Sequence, residues 1–114
     1  MLHLLGATEA YDPVRDAWTE RTPMPTPRGG LAGTAAGGLV LAAGGEGPDG
    51  TFEDVAAYDP ETDEWDRLPS LPTPRHGLGV AVVAGHLFAA AGGPTPGFDV
   101  SDALEILPDV AAGR

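Results

Sequence analysis

The sequence predicts an all-β fold assembled from repeated four-stranded antiparallel units, on three observations. A block of 47 residues recurs along the chain, Gly and Pro cut short apolar runs at regular spacing, and no window between these breakers carries the i, i+3, i+4, i+7 apolar spacing of a helix. Of the 114 residues, 17 are Gly and 12 are Pro, a content that points to low complexity unless a period organises it. The hydrophobic fraction of 42% matches a domain with a buried interior better than an acidic solvated tail.

The period is carried by Tyr11-Asp12-Pro13 with Trp18, which returns as Tyr58-Asp59-Pro60 with Trp65. Displacement by 47 matches 13 of the 29 positions from residue 10 to residue 38, where this composition gives about three by chance. Pro25-Thr26-Pro27-Arg28 falls on Pro72-Thr73-Pro74-Arg75, Gly30-Leu31 on Gly77-Leu78, and Gly38 on Gly85. One residue is then inserted, and Gly44-Gly45 returns as Gly92-Gly93.

With strands lettered a to d from the inner edge outward, the chain opens on c and d of a first unit, residues 8 to 21. Strand a of the complete unit runs from Gly30 to Ala36, a Gly37-Gly38 turn reverses it, and strand b follows from Leu39 to Ala43. Phe52 to Tyr58 reads as strand c. Asp59-Pro60 ends it, because Pro lacks an N–H and the Asp side chain can bond the turn backbone. Trp65 opens strand d and Pro69 stops it. Residues 75 to 107 repeat a and b and add a weak c, where Ala103-Leu104-Glu105-Ile106-Leu107-Pro108 replaces Tyr-Asp-Pro and no Trp follows. The expected divisions are 1–27 for the outer strands of a first blade, 28–74 for a complete blade, and 75–114 for a partial one. Four antiparallel strands per period form one blade of a β-propeller.

The double Gly closing strand b, the Tyr 13 residues later, the Trp seven after that, and the Pro-Arg entering the next inner strand resemble kelch-repeat propellers of the bacterial type. The resemblance covers residues 8 to about 107 and implies a partial kelch β-propeller of about two and a quarter blades. Double Gly would let one blade's backbone approach the next, and Tyr and Trp would fill the wedge between blades. A ring of 4 to 8 blades needs more chain than this. The chain is therefore expected to be part of a longer propeller or to close a ring with other copies. If the weak last c strand is left out, eight strands remain, and three chains would supply six blades by joining the a-b end of one to the c-d start of the next.

Composition excludes several partners. Seventeen acidic against six basic residues give a net charge of −11, which opposes binding to nucleic acid or to an anionic membrane surface. The longest apolar stretch, from Leu78 to Gly93, is broken by Gly85 and His86 and is too short to span a bilayer. Met1 to Leu5 lacks the basic start of a signal peptide, and the compartment stays open. The chain has no Cys, which removes disulfides, thiolate sites and the Tyr–Cys cofactor of the copper enzymes among kelch propellers.

Strand alternation puts the b-c and d-a loops at one end of each blade, where binding residues are expected. Arg28 and Arg75 would stand there at the lip and could hold a carboxylate or an acidic peptide, or could pair within the repeat as packing. His76 replaces Gly29 of the previous repeat directly after Arg75, and Glu46, Asp49 and Asp99 lie in the b-c loops. His3, His76 and His86 lack metal-ligand spacing, so no metal or other cofactor is expected. Gly45 to Gly50 matches the GxGxxG pattern formally, but a strand follows where a dinucleotide site needs a helix. The acidic run Asp59, Glu61, Asp63, Glu64, Asp66 lacks the spacing of a calcium loop and reads as a solvated turn. No nucleophile elbow or Cys–His pair is present. The expectation is a binding scaffold for a protein or glycan through Arg28, Arg75, His76, Glu46, Asp49 and Asp99. The alternatives are part of a sugar-active, mutarotase-like propeller enzyme and a trimerising structural unit.

Overall fold

The structure, a computed structural model, describes residues 4–110, so His3 lies outside the described residues. Its strands are β1 (Thr8–Asp12), β2 (Ala17–Arg21), β3 (Ala32–Ala36), β4 (Leu39–Ala43), β5 (Glu46–Gly47), β6 (Gly50–Thr51), β7 (Val55–Asp59), β8 (Glu64–Leu68), β9 (Gly79–Val83), β10 (His86–Ala90) and β11 (Leu104–Leu107). Three antiparallel sheets succeed one another: β1-β2, the four-stranded β3-β4-β7-β8, and β11-β10-β9. The small ribbon β5-β6 decorates the b-c loop of the middle blade. This is the architecture of a partial propeller.

Strand ends follow local chemistry. The b strand β4 lies where expected, closed by Gly44 and Gly45 at φ 70° and 125°. A Cβ on Gly44 would strike the Arg75 carbonyl of the next blade, and the Gly45 N–H donates to that same carbonyl at 2.8 Å. The double Gly thus lets neighbouring blades touch through their backbones. Strand a begins at Ala32 instead of Gly30, because Gly30 has φ 60° and turns the chain before the ladder starts. Strand c begins at Val55 instead of Phe52. Phe52 N–H bonds Gly45 O, and the Phe52 and Glu53 carbonyls take Arg75 N–H and Leu71 N–H, so this segment serves loop junctions before it joins β4.

The core lies between the middle and last sheets. Alternation puts Leu39, Leu41 and Ala43 of β4 on one face with Val55 and Ala57 of β7, packed against Leu78, Leu87, Ala89 and Leu107. It is aliphatic throughout. Tyr58 and Trp65 stand instead at the junction with the first sheet, stacked on each other at 5.2 Å.

The last strand, expected as a weak c, is present as a full member of its sheet. β11 pairs along its whole length with β10, from Leu87↔Leu107 to Ala90↔Leu104, and Glu105 accepts hydrogen bonds from Arg75 and Thr73. The c position is filled without the Tyr-Asp-Pro signature because a backbone ladder needs none. With β11 included, the blade strands among the described residues number nine, and a second chain's c-d pair would meet an occupied c position.

Candidate loop-end site

Three loops converge at the b-c and d-a end. The d-a connection enters strand a through a bridge between Gly29 and Glu46 in the middle blade, repeated between His76 and Gly93 in the last. The b-c loop of the last blade, residues 94–102, folds across the mini-hairpin β5-β6: Thr51 Oγ1 donates to Pro94 O at 2.8 Å and Gly97 N–H to Glu46 Oε1 at 3.0 Å.

His76 is the hub of this arrangement. Its Nδ1 lies 3.0 Å from Glu46 Oε2, and its Nε2 donates to Thr95 O at 2.9 Å, so the ring is clamped between the b-c loops of two blades. Thr95 in turn gives its hydroxyl and N–H to Asp99 Oδ2 at 2.7 and 3.2 Å, and Val100 N–H caps Asp99 Oδ1 at 2.9 Å. These bonds, the Thr95 hydroxyl first and the Val100 N–H next, hold the Asp99 carboxyl below the ordinary carboxylate range, so it is an anion at neutral pH. His76, Glu46 and Asp99 are thus brought together. Asp49 lies apart, exposed at the tip of the mini-hairpin.

The two arginines are placed differently from the expectation of guanidinium groups open at the lip. Arg28 is 3% exposed and Arg75 is not exposed at all. Arg75 Nη1 donates to the Ala91 and Ala103 carbonyls at 2.7 and 2.8 Å, and Nη2 to Ala89 O and Glu105 Oε1 at 3.0 Å each. Arg28 repeats the pattern with Asp54 O at 2.7 Å and Ala42 O at 3.3 Å. The correction has a simple cause. A five-donor fork meets several backbone carbonyls in and beside strands b and c, two of which, Asp54 O and Ala103 O, also accept a backbone N–H, and these acceptors draw the side chain inward. Each arginine ties the entry of strand a to strands b and c of its own blade, beneath the loops.

The sequence reading missed Phe98 and Val100. Both project from the pinned 94–102 loop, with Phe98 fully exposed and Val100 85% exposed. Their signal was available as two apolar residues inside a Gly- and Pro-rich loop. Among the described residues, no group of three or more His, Asp or Glu is arranged to hold a metal ion.

The arrangement combines an apolar anchor, fixed carboxylates and a clamped imidazole on a rigid base. Residues 27–72 of the chain match the family model described as the Kelch motif, which spans the complete blade and the entry to the next.

Proposed function

We propose that this chain, whose residues 27–72 match the Kelch motif, is a kelch-repeat interaction scaffold and that its b-c and d-a loop end binds a protein partner. The observation that carries the reading is Phe98: a fully exposed aromatic on a loop held by Glu46, Thr51, His76 and Asp99. Aromatic anchors offer large contact area, and one carried on a loop already pinned loses little backbone freedom on binding. With Glu46 and Asp99 bonded into the same loop and Asp49 apart at the tip of the mini-hairpin, the end suits a basic surface carrying an apolar pocket. Phe98 and Val100 together favour a protein over a glycan, whose hydroxyls would need polar partners at the centre of the contact. Arg28 and Arg75 act in this reading as positioning residues that set the loops from below. The closed ring of three chains is not supported, since nine blade strands per chain do not complete four-stranded blades in that way.

The test compares quantitative capture of binding proteins by the unmodified chain, by the double variant Phe98→Ser/Val100→Ser, and by a control altered in the exposed c-d turn of the middle blade, Glu61→Gln. Partners held by the unmodified chain and the control should be recovered at least about tenfold less by the double variant. Equal recovery by all three would refute the assignment.

A further inference from the structure

The contact that holds the 94–102 loop departs from the repeat at both of its ends. His76 stands where the previous repeat has Gly29, and Glu46 stands where the next has Pro94, counting from the matched Gly44-Gly45 and Gly92-Gly93. The pair is no part of the repeat.

Its atoms are also particular about protons. Glu46 Oε1 accepts the Gly97 N–H at 3.0 Å and Oε2 lies 3.0 Å from His76 Nδ1, while His76 Nε2 lies 2.9 Å from Thr95 O. A carbonyl and a carboxylate oxygen only accept, so both ring nitrogens must carry hydrogen for both contacts to form. A neutral imidazole has one N–H and leaves its other nitrogen's lone pair facing an oxygen lone pair. With that hydrogen on Nδ1 the ring loses Thr95; with it on Nε2 the ring loses Glu46. The closed contact thus holds one proton more than a neutral histidine and a carboxylate have between them. His86 shows the contrast, since its Nδ1 accepts the Asp109 N–H at 3.2 Å, a bond that needs an unprotonated nitrogen.

The surroundings favour the extra positive charge. Among the described residues the charged groups acting on the ring are Glu46 from β5 and Asp99 from the loop, both acidic. Arg75, its neighbour in the chain, turns its guanidinium inward to Ala89, Ala91, Ala103 and Glu105. The entry to strand a adds Gly30, and the bridge adds Gly93, neither of which has a charge to offer. Asp99 keeps its own charge throughout, because the Thr95 hydroxyl and the Val100 N–H hold its carboxyl below the ordinary range. The His76 side chain is only 12% exposed, so a ring nitrogen that loses its partner regains one from water only if the loop moves.

We propose that His76 and Glu46 form a proton-operated latch on the 94–102 loop, closed while the pair holds its extra proton and released as rising pH removes it. Histidine is the side chain whose charge ordinarily changes between about pH 5 and pH 8. The sign follows from linkage: the closed state binds more protons than the open one, so fewer protons in solution favour opening. The latch deepens the loop-end reading, and only its consequence rests on that reading: a released loop no longer carries Phe98 on a fixed base, and partner affinity falls at alkaline pH.

The test reads the loop in the ¹⁵N-labelled full chain with no partner present. Protection of the Gly97 amide against hydrogen exchange, with the intrinsic rate at each pH divided out, should fall at least about tenfold from about pH 5 to about pH 9. Over the same interval the ¹⁵N shifts of the His76 ring should pass from imidazolium to neutral. Glu46→Gln distinguishes a latch from general loosening. The substituted amide can accept the Gly97 N–H through its oxygen and donate to an unprotonated Nδ1, which leaves Nε2–H for Thr95, so this variant should stay protected at alkaline pH. His76→Gly, which restores the residue of the previous repeat, should lack protection across the range while the amides of β4 and β7 report an intact fold. The latch is overturned by Gly97 protection that ignores pH in the unmodified chain, by a neutral His76 ring while Gly97 is protected, or by a Glu46→Gln curve that follows the unmodified one. Because no partner takes part, a loop end that captures no protein leaves this result standing, and a failed latch leaves the Phe98 comparison standing.

Discussion

Arg75 illustrates how one residue can be both charged and structural. Its guanidinium is wholly buried, yet four acceptors surround it, one of them the Glu105 carboxylate. Arg28 is the same residue one repeat earlier with fewer partners: Ala56 stands where Glu105 does, and burial lowers its pKa, with Asp54 opposing that shift. Both leave Nε without a partner, so the Nη atoms carry the anchoring. Removing one member of a buried pair costs about 3–5 kcal/mol, while losing hydrogen bonds from a charge to neutral carbonyls costs about 1.5–3 kcal/mol each way of counting. Arg75→Ala should therefore lower unfolding stability by about 3 kcal/mol or more, and Arg28→Ala by a smaller amount. Urea unfolding with an unchanged m-value would measure the difference, and equal losses would mean that Glu105 adds nothing. Arg75→Lys should recover little, since an ammonium cannot reach acceptors on three sides at once.

At the scale of elements, the c-d turn is the joint between successive sheets. Asp63 closes its own turn, holds the Tyr58 hydroxyl and receives the Thr22 N–H from the preceding sheet. The Thr22 N–H and then the Tyr58 hydroxyl hold its pKa below the ordinary carboxylate value. A folded-state pKa below the unfolded one gives stability that is complete above the unfolded value, about 4, and is lost as pH falls through the folded value. Asp12 and Asp99 are shifted in the same direction, so acid weakens the chain at several points and a comparison is needed to isolate the joint. Asp63→Asn keeps the side chain's shape, an acceptor oxygen and tolerance of the left-handed backbone, and removes only the charge. The gap in melting temperature between the unmodified chain and Asp63→Asn should be widest near neutral pH and should narrow below about pH 4. Parallel curves would assign the acid sensitivity elsewhere.

At the scale of the whole molecule, the repeat made the fold legible because its Gly pairs and Tyr-Asp-Pro turns mark strand ends directly. Strand b of the middle blade could be read to the residue, and strand c could not, since Phe52 to Asp54 spend their backbone bonds on loops that the sequence does not locate. His76, Glu46 and Asp99 lie together at the loop end, and the burial of the two arginines matches the packing alternative for them and not an open lip. Apart from the Glu105 carboxylate and the Met24 sulfur, their acceptors are the backbone carbonyls of Ala42, Asp54, Ala89, Ala91 and Ala103, and no side chain advertises which carbonyl a buried guanidinium will reach.

The same accounting predicts unequal stability along the chain. β4 and β7 are paired on both edges and bury the shared core, whereas β1-β2 has a single ladder and joins the rest through the contacts of Arg21 and Thr22 with the Tyr58–Trp65 turn and the Leu5–Arg28 backbone bond. Opening this sheet exposes little apolar surface, so it should open without global unfolding. Native-state hydrogen exchange should show amides of β1-β2 exchanging through a sub-global opening, while those of β4 and β7 exchange only with the whole. Arg21→Leu removes the guanidinium from these contacts and should speed exchange in β1-β2 by about tenfold, with β4 and β7 unchanged. If exchange quickened equally in all four strands, the first sheet would belong to the same cooperative unit as the two blades behind it, and the Arg21 contacts would be one brace among many instead of the joint on which that sheet hangs.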